Sequence, residues 1–328
     1  VKATLHAAKS LDFAKVAVVF QPHRYTRLQA LCDDFVDAFA DADTVVLIDV
    51  FPAGEMPIPG VTSKMLADKI RAAIRRAIED PTYPYYDFIR HMMNEVDHDV
   101  LTTIVVNFFI NANMVGCEKQ EKLREEHNCN IPWAILMDPT SACNLHCTGC
   151  WAAEYGNRLN LTFDEIDSIV TQGKQLGVYM YIYTGGEPLV RKKDLIAICN
   201  KHSDCQFLSF TNGTLIDEEF ADEMLRVKNF VPAISIEGFE EETDSRRGKG
   251  TYKAVTRAME ILKNKKLPFG TSCCYTRQNA ETIGSEAFFD DMIAKGAKFA
   301  WFFTYIPVGV DAVPELLATA QQREYMYR

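Results

Sequence analysis

Three cysteines in the middle of the chain stand close enough together to bind a metal. Cys143, Cys147 and Cys150 form a C-x3-C-x2-C pattern just after a short apolar run, residues 133–137, that predicts a strand. Thiolates select zinc, copper(I) or iron–sulfur clusters. A structural zinc site takes four ligands, and no fourth cysteine or histidine at a zinc-like spacing is evident nearby. A cubane [4Fe–4S] cluster normally takes four thiolates, so three would leave one iron open to a small molecule.

Two simpler interpretations of the cysteines remain open. They could be three thiols of a buried loop, or a zinc knuckle that borrows His146. The ten cysteines of the chain do not form the pattern of a small secreted disulfide scaffold. Tight cysteine clusters in such a chain usually indicate metal binding or catalysis. The metal interpretation is favoured, and an oxygen-sensitive cluster would need a reducing, cytoplasmic setting.

A second motif follows one helix and one strand later. Residues 179–184 predict a strand, and Gly185, Gly186, Glu187 and Pro188 follow at its end. The two glycines let the backbone come close to a ligand. Glu187 offers a negative partner for an ammonium group. Alone, this sequence would be an ordinary turn; after the cysteine loop it supports a binding site.

The cysteine spacing and the Gly-Gly-Glu motif together resemble the radical S-adenosylmethionine (SAM) superfamily, over about residues 80–328. The resemblance implies a [4Fe–4S] cluster on Cys143, Cys147 and Cys150, with the open iron chelated by the amino and carboxylate groups of SAM. It also implies an oxidoreductase-type reaction. One electron cleaves SAM to methionine and a 5′-deoxyadenosyl radical, which abstracts hydrogen from a substrate that the motifs do not identify.

The pattern around these motifs predicts the fold class α/β. From residue 131 to 328, strand and helix patterns alternate in six units of the length of βα repeats. Right-handed crossovers would curl the strands into an incomplete barrel, and the resemblance implies the superfamily's partial (β/α)6 barrel. Functional groups of such a barrel gather at the carboxyl ends of its strands.

Further candidates for SAM binding lie at these strand ends. The resemblance assigns the third and fourth ends to the SAM ribose and carboxylate, which points to Thr211, Asn212, Ser235 and Glu237. The sequence from Thr211 is also an ordinary turn. Arg277 could hold the SAM carboxylate or only cover the rim, which is the end of the barrel formed by the carboxyl ends of its strands.

One position departs from the superfamily pattern. Many members have an aromatic residue just before the third cysteine, where it packs near the adenine, but here Gly149 occupies that position. Trp151 follows the cysteine instead. Stacking of the adenine on Trp151 is therefore a hypothesis.

The N-terminal residues 1–75 predict a separate, small Rossmann-like α/β fragment with a parallel sheet. Residues 19–27 and 49–60 resemble, in order and separation, the C-terminal domain of UDP-N-acetylmuramate–L-alanine ligase, a Mur ligase, over about residues 1–72. In that family His23, Arg24 and Arg27 lie towards the amino-acid and nucleotide-sugar site. Solvated loop charges are the alternative. Ligase activity is not expected, because no phosphate-loop motif G-x-x-x-x-G-K-[ST] occurs in the chain.

The two resemblances together suggest a fusion. A non-catalytic chimera, or a ligase-derived nucleotide-sugar binding module without turnover, is the alternative function. Between the two parts, residues 76–130 predict a helical lead-in whose apolar stripes, expected to be core, pack against one end of the barrel. No cysteine follows Cys274, where many relatives carry auxiliary clusters, so either this branch lacks such clusters or the C terminus is truncated. Truncation is favoured, because residues 315–328 resemble the start of a further segment.

Charge and hydropathy limit the partners. The net charge of −10 argues against a general nucleic-acid or anionic-membrane surface. No signal peptide is evident, and no apolar run is long enough to span a bilayer, since residues 104–110 are broken by Asn107. The expected partners are an unknown small-molecule or peptide substrate and an electron donor such as flavodoxin or ferredoxin.

Overall fold

The computed structural model of the chain describes residues 17–39, 44–82, 85–152, 156, 158–309 and 311–328. The chain divides into two compact units, Val1–His91 and Met92–Arg328. The three-part division expected from the sequence, with boundaries at residues 75 and 130, stays a prediction.

The first unit has a small parallel sheet, as expected. Strand β1 is Ala17–Phe20 and strand β2 is Thr44–Leu47, with Ala17 opposite Thr44 and Phe20 opposite Leu47. The sequence predicts the first strand over residues 15–20, of which residues 15 and 16 lie outside the described part of the chain. The helices are α1 (Tyr25–Ala30), α2 (Cys32–Val36) and α3 (Ser63–Glu79). Buried residues of these helices and of the segments between the elements form the core: Leu28, Cys32, Phe39, Val50, Val61 and Leu66.

A helical segment joins this unit to the barrel. It contains α4 (Tyr86–Glu95), α5 (His98–Ile104), a π-helical stretch (Val105–Gly116) and α6 (Cys117–His127). Asp97 begins α5, because its side chain accepts hydrogen bonds from the backbone N–H groups of Asp99 and Val100. At the end of α6, Asn128 has a φ of 48°, the left-handed conformation that terminates many helices.

The helix from His98 to His127 is long and apolar enough, by length and composition, to cross a membrane. The sequence-based expectation that no stretch had that length is therefore wrong. It counted Asn107 as a break, but Asn107 lies inside the helix, where it is buried and donates to the carbonyls of Ser203 and Cys205 at 2.8 and 3.0 Å. Asn111 likewise donates to the carbonyl of Asp204.

One face of this helix packs against the amino-terminal end of the barrel, which is the packing expected for the lead-in. Phe108 and Ala112 contact inward-facing residues of the barrel strands, and Gln120 donates to the carbonyl of Gly177 at 2.8 Å. The expectation that both apolar stripes are core is only partly correct. Val105 and Phe109 are exposed, because they lie on the face turned away from the barrel.

Six parallel strands follow one another in chain order in a single sheet, which confirms the expected α/β partial barrel. They are β3 (Ala134–Met137), β4 (Met180–Tyr183), β5 (Gln206–Thr211), β6 (Phe230–Ser235), β7 (Gly270–Tyr275) and β8 (Ala300–Thr304). The helices of this region are α7 (Phe163–Gln175), α8 (Lys192–Lys201), α9 (Glu218–Val227), α10 (Glu240–Arg247), α11 (Thr251–Asn264), α12 (Ala280–Ile283), α13 (Glu286–Lys295) and α14 (Ala320–Tyr327).

Successive side chains of each strand alternate between the helical layer and the barrel interior. Tyr181, Tyr183 and Phe207 are fully buried and belong to the main core. Phe210 of β5 lies 5.7 and 5.4 Å from the rings of Trp301 and Phe303 on β8. Two strands separate β5 from β8 in the sheet. The contact therefore crosses the interior and shows that the sheet is curled.

Candidate functional site

The three cysteines of the C-x3-C-x2-C motif lie on the loop that follows β3. Cys143, Cys147 and Cys150 are free thiols of intermediate exposure. Burial raises the pKa of Cys143 and of Cys147 above the ordinary thiol value. Among the described residues no three His, Cys, Asp or Glu side chains stand ready to hold one metal ion. A cubane cluster differs, because each thiolate binds a different iron and the ligands stand farther apart than around one ion.

The Gly-Gly-Glu loop packs backbone against backbone on the segment that leads into Cys143. Gly186 N–H donates to the Thr140 carbonyl at 3.0 Å, and Glu187 N–H donates to the Ala142 carbonyl at 2.7 Å. A Cβ on Gly186 would lie 2.3 Å from the Ala142 carbonyl oxygen, and one on Gly185 would lie 2.7 Å from that of Thr140. The neighbouring chain segment therefore leaves no space for a side chain at either glycine, a constraint that sequence analysis missed. Their approach to a ligand stays a prediction.

Glu187 joins the ends of β4 and β5. Its carboxylate is buried and accepts hydrogen bonds from the Thr211 hydroxyl at 2.6 Å, the Asn212 N–H at 2.6 Å and the Leu189 N–H at 2.9 Å. Burial raises the pKa of Glu187, although these donors favour the charged form. The structure therefore brings three predicted site residues together: Glu187, Thr211 and Asn212.

Two side-chain hydrogen bonds link the turn after β5 to the cysteine loop. The Asn212 amide donates to Asn144 Oδ1 at 2.8 Å, and the Asn144 amide donates to Thr214 Oγ1 at 2.8 Å. These assignments place Asn144, the residue after Cys143, in fixed contact with the turn after β5.

Glu237, at the end of β6, forms a buried ion-pair triad with two arginines. Its Oε1 accepts hydrogen bonds from Arg246 Nη1 at 2.6 Å and from Arg247 Nε at 2.7 Å. Arg247 Nη1 lies 3.9 Å from Cys147 Sγ, and the carbonyl of Arg246 accepts a hydrogen bond from Thr148 N–H. Burial acts to lower the pKa of Arg246 and Arg247, but the charge of Glu237 offsets it and both pKa values are raised.

Sequence reasoning missed both arginines. The available signal was a pair of basic residues closing the short helix α10, directly after the predicted site residue Glu237. The helix brings them back to the strand end, where they contact both Glu237 and the cysteine loop.

The remaining rim candidates are less closely joined. Ser235 ends β6 and is in register with Ser272 of β7. Trp151 is exposed. Arg277 donates through Nε to the Leu317 carbonyl at 3.1 Å, and its N–H bonds the Leu316 carbonyl, so it fastens the C-terminal segment to the rim.

Tyr305 fills the space beside Gly149. A Cβ on Gly149 would lie 2.6 Å from the Tyr305 hydroxyl oxygen, and the φ of Gly149 is +71°. Tyr305 is buried, accepts a hydrogen bond from Val313 N–H at 2.9 Å, and lies under the guanidinium of Arg246. The position before the third cysteine therefore has no room for a side chain.

Two aromatic side chains inside the barrel are partly exposed. Trp301 and Phe303 have exposed fractions of 42% and 40%, and their rings stack at 6.2 Å. With Phe210 they form an aromatic surface inside the barrel.

The N-terminal unit holds the other predicted charged group. His23, Arg24 and Arg27 line one cavity of about 470 Å³ together with Thr26. Thr26 is held by Glu55, which accepts from its N–H at 3.0 Å and its hydroxyl at 2.7 Å. The structure brings the three basic side chains together.

The two parts of the chain are similar to different known proteins. The family model described as the Radical SAM superfamily matches residues 137–287. Among solved structures, anSMEcpe with bound AdoMet has a TM-score of 0.51 and 24% identity over 59% of this chain and 57% of that chain. Streptococcus suis SuiB bound to precursor peptide SuiA has a TM-score of 0.53 and 16% identity over 81% of this chain and 59% of that chain.

The curated relatives match the N-terminal region. UDP-N-acetylmuramate–L-alanine ligase of Geobacter sp. (strain M21) is 56% identical over 73 residues, which are 22% of this chain and 16% of the ligase. The same ligase of Syntrophus aciditrophicus (strain SB) is 38% identical over 126 residues, which are 38% of this chain and 25% of the ligase. The chain thus spans about a quarter or less of these two relatives' length.

Proposed function

We propose that this chain is a radical SAM enzyme, which binds SAM and a [4Fe–4S] cluster at the carboxyl ends of β3 to β6. The match of residues 137–287 to the Radical SAM superfamily model supports this proposal. The observation that carries the proposal is the packing of the Gly-Gly-Glu loop against residues 140–142, which lead directly into Cys143. This packing puts both motifs on one rim of the curled sheet.

The chemistry of the donor set fits the cluster. Cys143, Cys147 and Cys150 are all unpaired thiols on a single loop, and soft thiolates are the ligands that iron–sulfur clusters require. We propose that each binds one iron and that the fourth iron is left to SAM. When bound, the cluster supplies the electron that cleaves SAM reductively to a 5′-deoxyadenosyl radical.

The hydrogen bonds already present at the rim restrict which of its residues could contact SAM directly. Both oxygens of Glu187 already accept hydrogen bonds, so Glu187 would favour the SAM ammonium through its charge and by fixing the backbone of Gly185 and Gly186. Asn212 and Ser235 remain candidates for the ribose and carboxylate, and exposed Trp151 for the adenine. Glu237 would act through the arginines that it binds.

The substrate would enter the open interior of the barrel. The aromatic surface of Phe210, Trp301 and Phe303 would exclude water from the reacting groups, as radical chemistry demands. Small molecules and peptides are both candidate substrates. One neighbouring structure, SuiB, is described as bound to a precursor peptide, which makes peptides a class to test. A flavodoxin or ferredoxin is proposed as the electron donor.

A nucleotide-sugar binding module without turnover is the less favoured function. It has support only in the N-terminal unit, where the ligase relatives match and where His23, Arg24 and Arg27 line a cavity. The rim contacts of the barrel would have no part in it.

Anaerobic reconstitution with iron and sulfide tests the proposed function. We expect about four irons per chain, and formation of 5′-deoxyadenosine when SAM and dithionite are added. Cys143→Ala, Cys147→Ala and Cys150→Ala should each lose most of the iron. Cys129→Ala is the matched control, because Cys129 is an exposed free cysteine outside the loop. Iron that binds equally to all four variants would contradict the assignment.

A further inference from the structure

A buried positive charge lies beside the cysteine loop and is only partly compensated. Glu237 is fully buried, and the side chains of Arg246 and Arg247 are 13% and 12% exposed. Two guanidinium groups share one carboxylate, so the triad carries one net positive charge. The Glu187 carboxylate also attracts Arg247 electrostatically, but the donors to Glu187 lie at the end of β5 and in its own loop.

Parts of this triad have no hydrogen-bond partner in the described part of the chain. They are Nε of Arg246 and Oε2 of Glu237, both fully buried. Burial of an uncompensated charge costs roughly several kcal/mol of folding free energy. A nearby anion would offset that cost. Arg247 faces the Cys147 thiol, with Nη1 and Sγ 3.9 Å apart, and this sulfur becomes an anionic thiolate when it ligates an iron–sulfur cluster.

The position of the two arginines is fixed by the backbone as well as by Glu237. The Arg246 carbonyl accepts the N–H of Thr148 at 2.8 Å, which anchors the end of α10 to the residue after Cys147. Arg246 also lies over the ring of Tyr305, which fills the space beside Gly149. The positive charge is therefore held at a constant place relative to the cysteine loop.

We propose that Arg247, oriented by Glu237 and supported by Arg246, is a positioning residue that stabilises the reduced state of a cluster bound through Cys147. The inference rests on the proposed function. Reduction adds one negative charge to the cluster, and a fixed positive charge next to a cluster sulfur favours the more negative state. The arginine thus raises the reduction potential and makes the cluster easier to reduce.

Redox titration of the reconstituted protein, followed by its absorbance and EPR signal, tests this inference. At a fixed solution potential, Arg247→Gln should lower the ratio of reduced to oxidised cluster by about tenfold. This corresponds to a decrease of about 59 mV in the reduction potential of a one-electron couple. Arg247→Lys keeps the charge and should stay within about threefold of the unmodified protein. Arg226→Gln, which removes an arginine paired with Glu223 on the surface of α9, should leave the potential unchanged.

An Arg247→Gln protein that binds normal amounts of iron and sulfide at an unchanged potential would overturn the inference. If that variant takes up no cluster, Arg246→Gln decides: a lowered potential supports the role of the triad, and an unchanged one refutes it. Failure of the unmodified protein to bind iron and sulfide would instead refute the proposed function, so the two failures are distinguishable.

Discussion

The hydroxyl of Thr211 donates a 2.6 Å hydrogen bond to the buried carboxylate of Glu187. This contact joins the end of β5 to the loop after β4, and the same loop packs against the segment that precedes Cys143. The geometry of the candidate site therefore depends on a polar contact below the rim, and not only on the residues proposed to touch SAM.

Removal of the Thr211 hydroxyl should destabilise the barrel. Thr211→Val removes one of the two donors to Glu187 Oε1, which keeps only the Leu189 N–H. Because the lost hydrogen bond goes to a buried carboxylate, we expect a loss of about 1–3 kcal/mol in the free energy of unfolding. Thr211→Ser keeps the hydroxyl and should lose less. Urea denaturation of the three proteins measures the difference; equal stabilities of the Val and Ser variants would contradict the proposed importance of this hydrogen bond.

Gly186→Ala should disturb the cysteine loop. The added Cβ would lie 2.3 Å from the Ala142 carbonyl oxygen, so the segment leading into Cys143 must move. We expect the iron content after reconstitution to fall severalfold. Gly54→Ala is the control: Gly54 has a φ of +86°, but nothing lies within 4 Å of its added Cβ. Its left-handed backbone alone should cost about 1–2 kcal/mol, without loss of iron.

Gly149 and Tyr305 should show coupled effects. Gly149→Ala places a Cβ 2.6 Å from the Tyr305 hydroxyl oxygen, at a φ of +71°. We expect a loss of about 1–3 kcal/mol from overpacking, in addition to about 1–2 kcal/mol from the left-handed backbone. Tyr305→Phe removes that oxygen, so the double variant should recover part of the loss. A double-mutant cycle by urea denaturation measures the coupling. Strictly additive effects would show that the two residues do not compete for one space.

The pH dependence of stability should report on Asp167. A hydrogen bond from Lys201 is the main cause that lowers the pKa of Asp167, with His202 as a second partner. A carboxyl with a lowered folded-state pKa stabilises the fold above its unfolded pKa, about 3.9, and this stabilisation is lost as the pH falls through the folded-state pKa. Asp167→Asn should therefore reduce the free energy of unfolding at pH 7.

The difference between Asp167→Asn and the unmodified protein should shrink as the pH falls below about 4. Urea denaturation at a series of pH values measures it. A difference that stays constant down to pH 2 would mean that the charge of Asp167 is not the cause.

Much of the barrel could be predicted from local signals. The spacing of Thr162 and Glu165 predicts a capping box, and Asp217 before an apolar helical pattern predicts an N-cap. The structure has both, at the starts of α7 and α9. Short apolar runs bounded by such caps predict strands and helices well, because both the hydrogen bonds and the periodicity involve residues close in sequence.

The contacts that organise the site could not be predicted in the same way. The pairing of Glu237 with Arg247 depends on how α10 turns back on the strand end, and no sequence period reports that turn. The packing of Gly186 on Ala142 brings together loops after two different strands. Asn107 looked like a break in an apolar run, because its carbonyl partners 96 and 98 residues away were not visible in the sequence.

EPR spectroscopy of the reconstituted, dithionite-reduced protein, with and without SAM, tests directly whether Cys143, Cys147 and Cys150 hold a cluster that binds SAM. Three cysteine ligands leave one iron open, so we predict a [4Fe–4S] signal whose g values change when SAM is added, and no such signal in Cys143→Ala. A cluster signal that SAM leaves unchanged, or no cluster signal at all, would contradict the account.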